Sequence, residues 1–163
     1  MKMEMYVLQV KPGYEESAAR ELQRKGYTAM CPMVEAHIRF GGEWHKRLKI
    51  LFTQYIFVEC DLSDVDYYNI MSAVGVIRFL GCGKPEPLPA DEREYIRILD
   101  NGGKPVEASK VYVTSYGDKM VLSGLLRKYA NNSVRIDLRQ RRAWVTVTLH
   151  GKPHKITLPV IGI

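Results

Sequence analysis

The sequence lacks the long hydrophobic runs and the paired cysteines that would assign it to a membrane or disulfide-rich class. Its 163 residues include three cysteines, an odd number, and no C-x-x-C occurs, so neither a disulfide framework nor a four-ligand zinc site is expected. The apolar runs are short pieces such as Tyr55–Val58, well below the roughly 20 residues of a membrane-spanning helix. No signal-type apolar stretch follows the N-terminus. These absences predict a cytoplasmic protein without membrane contact.

Recognisable catalytic motifs are also missing. The chain contains no nucleophile elbow, no P-loop and no H-E-x-x-H motif. Clustered carboxylates near Asp64 and Asp91 fall at predicted helix starts, where capping accounts for them. His150 and His154 have a spacing that suits two metal ligands on a helix, but they flank a Gly-Lys-Pro turn. We therefore expect no enzyme, no cofactor and no metal site.

Acidic residues are scarce in the second part of the sequence. Residues 1–100 contain 13 Lys and Arg against 15 Asp and Glu, a net charge of −2. Residues 101–163 contain 11 against 3, a net charge of +8. Such asymmetry predicts a surface for phosphates in the second part. The alternative is an ordinary small barrel that is merely charged.

The first hundred residues have the periodicity of alternating strands and helices. Tyr14, Ala18 and Leu22 recur at every fourth position, which predicts a helix over residues 14–25. Gly41–Gly42 predicts the turn of a hairpin. This pattern indicates a mainly antiparallel sheet with helices on one face, an α+β sandwich. The other predicted elements are strands at 6–10, 36–40, 44–48, 54–60 and 76–80 and helices at 64–73 and 90–99.

The rest of the chain is predicted to be a linker and a small barrel. Residues 101–110 (NGGKPVEASK) have a linker's composition. Beyond them apolar residues recur mostly at every second position, which predicts a second domain of four or five strands. The predicted domains are thus 1–100 and 111–163. The predicted strands are 120–122, 134–138, 143–149 and 155–158, with turns at Gly117–Asp118, Asn131–Asn132 and Gly151–Lys152.

These segments resemble a known family in their order and spacing. The first domain resembles the NusG N-terminal domain in YVLQVKPGYEE, LFTQYIFVE and VGVIRFLG followed by a proline-rich loop. The second resembles a KOW domain in Gly117–Asp118, Ser123–Gly124–Leu125 and the hairpin VRIDLRQRRAWVTVTLHGK. The resemblance implies a ferredoxin-like antiparallel sheet with helices, followed by a small all-β, SH3-like KOW barrel. It also implies a monomeric factor that binds RNA polymerase and suppresses pausing or termination.

The resemblance places the polymerase-binding surface on the strand around residue 55. In the family, the corresponding strand docks on the clamp helices of the polymerase's largest subunit, which makes Phe52, Tyr55 and Phe57 the candidates here. Strand alternation predicts that Tyr55 and Phe57 share one face and that Phe52 shares the other with Ile56 and Val58. Large aromatics that no helix covers would form an apolar docking patch. The alternative is that all three are core residues.

The resemblance also implies a DNA-facing edge near the first helix. Arginines there would pair with phosphates or stack on bases of the nontemplate strand. Glu15 and Glu16 dilute this charge, so the alternative is a solvated amphipathic helix. The DNA-binding candidates are Lys11, Arg20, Arg24 and Arg78.

The second domain carries the candidate contacts to nascent RNA. Cations around strand ends, with an aromatic among them, suit an RNA backbone and its unstacked bases. Trp144 is such an aromatic, although alternation in DLRQRRAWVTV favours a core position for it. The RNA-binding candidates are Arg127, Lys128, Arg139, Arg141, Arg142, Lys152 and Lys155.

The sequence departs from the generic family at two places. Thr53–Gln54 stands where the family usually has Pro-Gly, and His150 stands where generic KOW domains carry a phenylalanine before the glycine. Generic KOW domains recruit the termination factor Rho or a ribosomal protein. The departures and the basic hairpin favour a specialised paralog similar to LoaP or RfaH, with RNA, Rho and a ribosomal protein left open as partners of the KOW domain. An RNA-binding module of ribosomes or RNA processing is the alternative function.

Overall fold

A four-stranded antiparallel sheet organises the N-terminal domain. The computed structural model describes residues 2–129 and 134–163, and the predicted turn at Asn131–Asn132 lies outside them. The strand order is β2-β5-β1-β6, and β1 pairs antiparallel with both neighbours. The strands are β1 (Glu4–Val10), β2 (Thr28–Met30), β5 (Tyr55–Cys60) and β6 (Val76–Phe79).

Helices cover both faces of this sheet, so the predicted one-sided arrangement is wrong. Leu8 and Val10 face one layer of the core, with the buried side chains of α1 and α2. Met5 and Val7 face the other layer, with the buried side chains of α3. The reason lies in β1 itself, because its run EMYVLQV is apolar on both faces and each face needs a cover. The helices are α1 (Glu15–Arg24), α2 (Asp64–Met71) and α3 (Ala90–Asp100).

The predicted hairpin forms a separate two-stranded sheet of β3 (Met33–Phe40) and β4 (Glu43–Ile50). Gly41 and Gly42 both have positive φ, at 61° and 77°, which is the conformation that a tight primed turn between two strands requires. At its base, Val34 forms a parallel bridge to Val106. The hairpin therefore extends from the N-terminal sheet towards the second domain, where β3 lies against β11.

The C-terminal domain is an all-β sheet of five strands in the order β8-β7-β11-β10-β9, as the barrel prediction requires. A 3-10 segment follows β8 at Leu125–Tyr129. The first strand of the domain begins at Ser109, inside the predicted linker, and Val106 before it is buried. The strands are β7 (Ser109–Val113), β8 (Lys119–Ser123), β9 (Arg135–Asp137), β10 (Arg142–Leu149) and β11 (Lys152–Gly162).

The two domains share one apolar cluster. Phe57 and Ile96 of the N-terminal domain belong to the same buried cluster as Val145 and Leu149 of the C-terminal domain. The layer around α1 and α2 is instead built from the N-terminal domain alone. Within the described residues no helix is long and apolar enough to cross a membrane.

Candidate functional site

The aromatic cluster of Phe52, Tyr55 and Phe57 lies under other parts of the chain. Phe57 is 0% and Phe52 4% exposed, while Tyr55 is half-buried. The rings of Phe52 and Phe57 meet edge to face, with centroids 5.2 Å apart. The expectation of an uncovered aromatic face is therefore wrong for this structure, because α3 and the C-terminal domain pack over that face.

Phe52 lies on the Phe57 side of the sheet, which corrects its predicted placement with Ile56 and Val58. Strand β5 begins only at Tyr55, and Gln54 before it has φ 69°, so alternation does not continue back to Phe52. The buried carboxylate of Glu15 holds this turn: it accepts hydrogen bonds from the Gly13 N–H at 2.8 Å and from the Gln54 N–H at 3.0 Å. The left-handed residue thus sits where the family usually has glycine.

A polar contact joins α3 to the tip of the β10–β11 hairpin. The Glu92 carboxylate, 4% exposed, accepts the backbone N–H of His150 at 2.5 Å and that of Gly151 at 2.9 Å. The His150 ring places Nε2 2.8 Å from the carbonyl oxygen of Glu86, which makes Nε2–H the donor. We call this set of contacts the Glu92 latch. It fixes the C-terminal domain over the aromatic cluster.

His154 completes the cover at the edge of the cluster. Its ring meets Tyr55 edge to face, with centroids 5.9 Å apart. Burial lowers the pKa of His154; the charge of Lys152 lowers it further, while Glu92 opposes both. The neutral ring is therefore the favoured form where the domains meet.

Arg141 joins the C-terminal domain to the β3–β4 hairpin. Its guanidinium carbon lies 4.2 Å from the centroid of the Trp44 ring, and Nη1 lies 3.1 Å from Nδ1 of His37. Burial, followed by Arg141 and then Lys46, lowers the pKa of His37. An arginine only donates hydrogen bonds, so His37 accepts through Nδ1. Arg141 is one of the RNA-binding candidates, and the structure places it half-buried in this junction.

The four DNA-binding candidates are exposed but do not share a surface. Arg20 and Arg24 lie on α1, and Arg20 pairs with Glu16 at 3.2 Å. Arg78 is in register with Gln9 and donates a hydrogen bond of 2.8 Å to it. Gln9 points to the same side as Met5 and Val7, so Arg78 faces away from α1. Only Lys11, which follows β1 directly, remains at the edge between these two groups.

Trp144 lies on the outer face of β10, and its predicted core position is wrong. Ala143, Val145 and Val147 point inward and are buried, so the strand alternation turns Trp144 outward. Two cations lie near its half-buried ring. The guanidinium carbon of Arg135 is 5.2 Å and the Nζ of Lys155 is 5.7 Å from the ring centroid. The other exposed RNA-binding candidates are Arg127, Lys128, Arg139, Arg142 and Lys152.

Sequence reasoning assigned no function to the β3–β4 hairpin, although its tip combines aromatics with cations. Phe40 is 50% exposed and stacks on His45 at a centroid distance of 3.9 Å. The Arg47 guanidinium lies 5.5 Å from the Phe40 centroid, and that of Arg39 lies 5.8 Å from the Trp44 centroid. The signal was present in the segment FGGEWHKRLK, where cations and aromatics alternate without a continuous apolar face.

Two of the three cysteines, Cys31 and Cys60, are poor nucleophiles in their surroundings. Burial raises the pKa of Cys31 to about 12 and that of Cys60 to about 11. A thiol is reactive as its thiolate, so these two side chains serve packing. Among the described residues, no group of three or more His, Cys, Asp or Glu side chains could hold a metal ion.

Comparisons with known proteins give one consistent result. A model of the family described as "Transcription termination factor nusG" matches residues 3–97. The chain is similar to "Transcription termination/antitermination protein NusG" of Thermus thermophilus, with 27% identity over 97% of this chain and 96% of that protein. The chain is also similar to the protein of the same name in Haemophilus influenzae, with 23% identity over 96% of this chain and 91% of that protein. A solved structure, "Domain interaction in Thermotoga maritima NusG", shares the fold at a TM-score of 0.62 and 23% identity, covering 98% of this chain and 95% of that one.

Proposed function

Since the chain belongs to the NusG family of transcription termination and antitermination factors, we propose that Phe52, Tyr55 and Phe57 bind the clamp helices of RNA polymerase's largest subunit. Membership implies binding to RNA polymerase, and the family consists of transcription factors and not of enzymes. The bound factor would suppress pausing or termination. No chemical step is needed, because binding energy that favours an elongating conformation shifts the polymerase population towards it.

The observation that carries this proposal is the position of the aromatic cluster beneath a second domain. The cluster shares its apolar layer with the C-terminal domain, whereas the opposite layer is closed by α1 and α2. If the C-terminal domain moves away, Tyr55 and Phe57 of β5 and Phe52 just before it lose the part of their cover that this domain supplies and become available to a partner. Such rings are typical anchors of protein interfaces.

Domain docking and polymerase binding are then mutually exclusive at this surface. Tyr55 cannot contact a clamp helix while it packs on His154. The apparent affinity for polymerase is the intrinsic affinity multiplied by the fraction of molecules with separated domains. The Glu92 latch therefore sets how readily the factor engages polymerase.

The C-terminal domain supplies the proposed contact with nascent RNA. Trp144 lies on its outer face with Arg135 and Lys155 beside it, and Arg142 lies on the same face of β10. A partly exposed ring bordered by cations suits an unstacked base and its phosphates. If about four phosphates are contacted, the log–log slope of affinity against salt is about −3 for single strands.

His150 supports the finer assignment to a specialised paralog similar to LoaP or RfaH. It occupies the tip where a generic KOW domain presents a phenylalanine, and it is held in the Glu92 latch by its backbone and its ring. While the domains are docked, a tip held in this way is not free to recruit Rho or a ribosomal protein. Contacts of Lys11 and Arg24 with nontemplate DNA, action as a monomer and a cytoplasmic location remain part of the proposal.

The test measures polymerase affinity in a background whose domains are released. Glu92→Gln weakens the latch, and adding Tyr55→Ser to it removes one exposed anchor without touching the fully buried Phe57. We expect the double variant to bind polymerase about thirtyfold more weakly than Glu92→Gln alone, corresponding to about 2 kcal/mol for an aromatic anchor. Tyr116→Ser in the same background is the matched control, because Tyr116 is 93% exposed on the C-terminal domain.

Equal polymerase affinity of the Tyr55 and Tyr116 variants, both folded by circular dichroism, would refute the proposed surface. A pull-down from lysate addresses the alternative function. Ribosomal subunits as the main captured species, instead of polymerase, would favour the RNA-processing module.

A further inference from the structure

The basic charge of the N-terminal domain is concentrated on the β3–β4 hairpin. Residues 33–50 contain four Lys and Arg against two Asp and Glu, a net +2. The remaining residues of the first hundred contain nine against thirteen, a net −4. The hairpin is thus a cationic arm on an otherwise acidic domain, and it points towards the basic C-terminal domain.

Two adjoining grooves lie where this arm meets the C-terminal domain. The first groove has a volume of about 270 Å³. It is lined by Lys49 of the arm and by Arg142 and Lys155 of the C-terminal domain. The second is lined by Arg39 and Trp44 of the arm, by Arg139 of the turn before β10 and by Arg142 at the start of β10. Arg142 and the β3 residues His37 and Ile38 line both grooves. The two domains therefore contribute cations to one continuous surface.

These cations are available to a ligand. Within the described part of the chain, none of Arg39, Lys49, Arg139, Arg142 and Lys155 forms an ion pair. The single carboxylate that lines the grooves, Asp137, accepts the N–H of Gln140 at 3.1 Å. Arg141 has a structural role instead, because its contacts with Trp44 and His37 hold the arm against the C-terminal domain.

We propose that the β3–β4 hairpin and the C-terminal domain form one composite surface for single-stranded RNA. The spaced cations follow a phosphate backbone, and the exposed Phe40 and the half-buried Trp144 offer rings to unstacked bases. Unpaired RNA is recognised by this combination of phosphate contacts and ring stacking. The inference rests on the proposed contact of the C-terminal domain with RNA and adds the N-terminal arm to it.

The composite surface also links the two ligands of the molecule. Both halves adjoin only while the domains are docked, and the aromatic cluster is free only after they separate. RNA bound across the junction therefore favours the docked state, and polymerase favours the open one. Thermodynamic linkage requires that each ligand weaken the other to the same extent.

The experiment compares three double variants of the full chain for binding to a labelled single-stranded RNA oligonucleotide of mixed sequence. Arg39→Ala with Lys49→Ala removes two cations from the arm, and Arg139→Ala with Arg142→Ala removes two from the C-terminal domain. Lys84→Ala with Lys104→Ala is the matched control, because both lysines are exposed and lie outside the two grooves, Lys84 in the N-terminal domain and Lys104 in the segment that follows it. Exposed positions make loss of folding a minor concern, and circular dichroism checks it.

We expect the arm variant to weaken RNA binding about twentyfold at about 0.1 M salt and to lower the magnitude of the salt slope by about 1.4, as expected for two lost phosphate contacts. The C-terminal variant should behave similarly, and the control should differ little from wild type. If the C-terminal variant weakens binding while the arm variant matches the control, the composite surface is refuted and the proposed RNA contact stands. If all three bind RNA like wild type, both ideas fail.

Discussion

The two faces of the N-terminal sheet are closed in different ways. One face is sealed by α1 and α2 through side chains such as Leu22 and Ile70, both fully buried in the N-terminal domain's own core. The other face is closed partly by a second domain, held by the Glu92 latch and by the ring contact of Tyr55 with His154. Apolar burial within a domain is lost only on unfolding, whereas a domain contact can open without it. The second face is therefore the one suited to exchange partners.

The largest expected effect comes from breaking the latch with Glu92→Gln. Replacing the charged acceptor of two part-buried hydrogen bonds by a neutral amide costs about 1.5–3 kcal/mol. Because the loss falls on the docked state, we expect domain separation and not unfolding. Small-angle X-ray scattering should show a larger radius of gyration, with circular dichroism unchanged.

Two controls separate latch opening from general damage. Glu94→Gln changes an exposed carboxylate on the same helix and should leave the radius of gyration unchanged. Leu22→Ala in the other layer should cost about 2–5 kcal/mol of unfolding free energy without separating the domains. A Glu92→Gln protein as compact as wild type would mean that the shared apolar cluster and the Arg141 junction hold the domains together without the latch.

A smaller effect is expected at Gln54, where the aromatic cluster begins. A residue with a side chain in the left-handed region costs about 1–2 kcal/mol relative to its favoured conformations, and glycine avoids this strain. Gln54→Gly should therefore raise the free energy of unfolding by about 1 kcal/mol after the greater freedom of glycine in the unfolded chain is subtracted. Urea denaturation measures the change.

Thr53→Gly is the matched control for that variant, because Thr53 is exposed and has no positive φ. It should be destabilising or neutral. If Gln54→Gly lowers the free energy of unfolding as much as the control does, the prediction is wrong. The stabilisation that the Gln54 side chain provides would then exceed the cost of its left-handed backbone.

Much of the fold could be predicted because the periodicity of its elements is local. The helix predicted over 14–25 is α1 (Glu15–Arg24), and the turn at Gly41–Gly42 forms the tip of the hairpin. The side of Phe52 could not be predicted, because the left-handed conformation of Gln54 depends on the carboxylate of Glu15, which lies 39 residues earlier. The latch was equally hidden, since Glu92 and His150 are 58 residues apart.

Trp144 was wrongly placed although the sequence contained the correct signal. Val145, Val147 and Leu149 occupy alternate positions of one strand, and three aliphatic side chains on one face define the inner side. Trp144 belongs to the other parity, with Arg142, Thr146 and Thr148. The alternation in DLRQRRAWVTV was assigned the wrong parity, which is why Trp144 was predicted to face inward.

The smallest expected effect concerns pH at the junction of the hairpin with the C-terminal domain. Burial, then Arg141 and Lys46, lower the pKa of His37, while Glu35 opposes them. A histidine whose pKa is lower in the folded protein takes up its proton more readily in the unfolded chain. The free energy of unfolding therefore falls as the pH falls through the ordinary histidine range.

We expect the free energy of unfolding, measured by urea denaturation, to fall between about pH 7.5 and about pH 5.5. This decrease should be larger for the wild type than for His37→Asn. The asparagine keeps an oxygen acceptor for Arg141 but gains no proton, so this part of the pH dependence disappears. His45→Asn, on the tip of the same hairpin, should retain the wild-type difference between the two pH values. If His37→Asn loses as much stability on acidification as the wild type, protonation of His37 does not oppose the contact with Arg141.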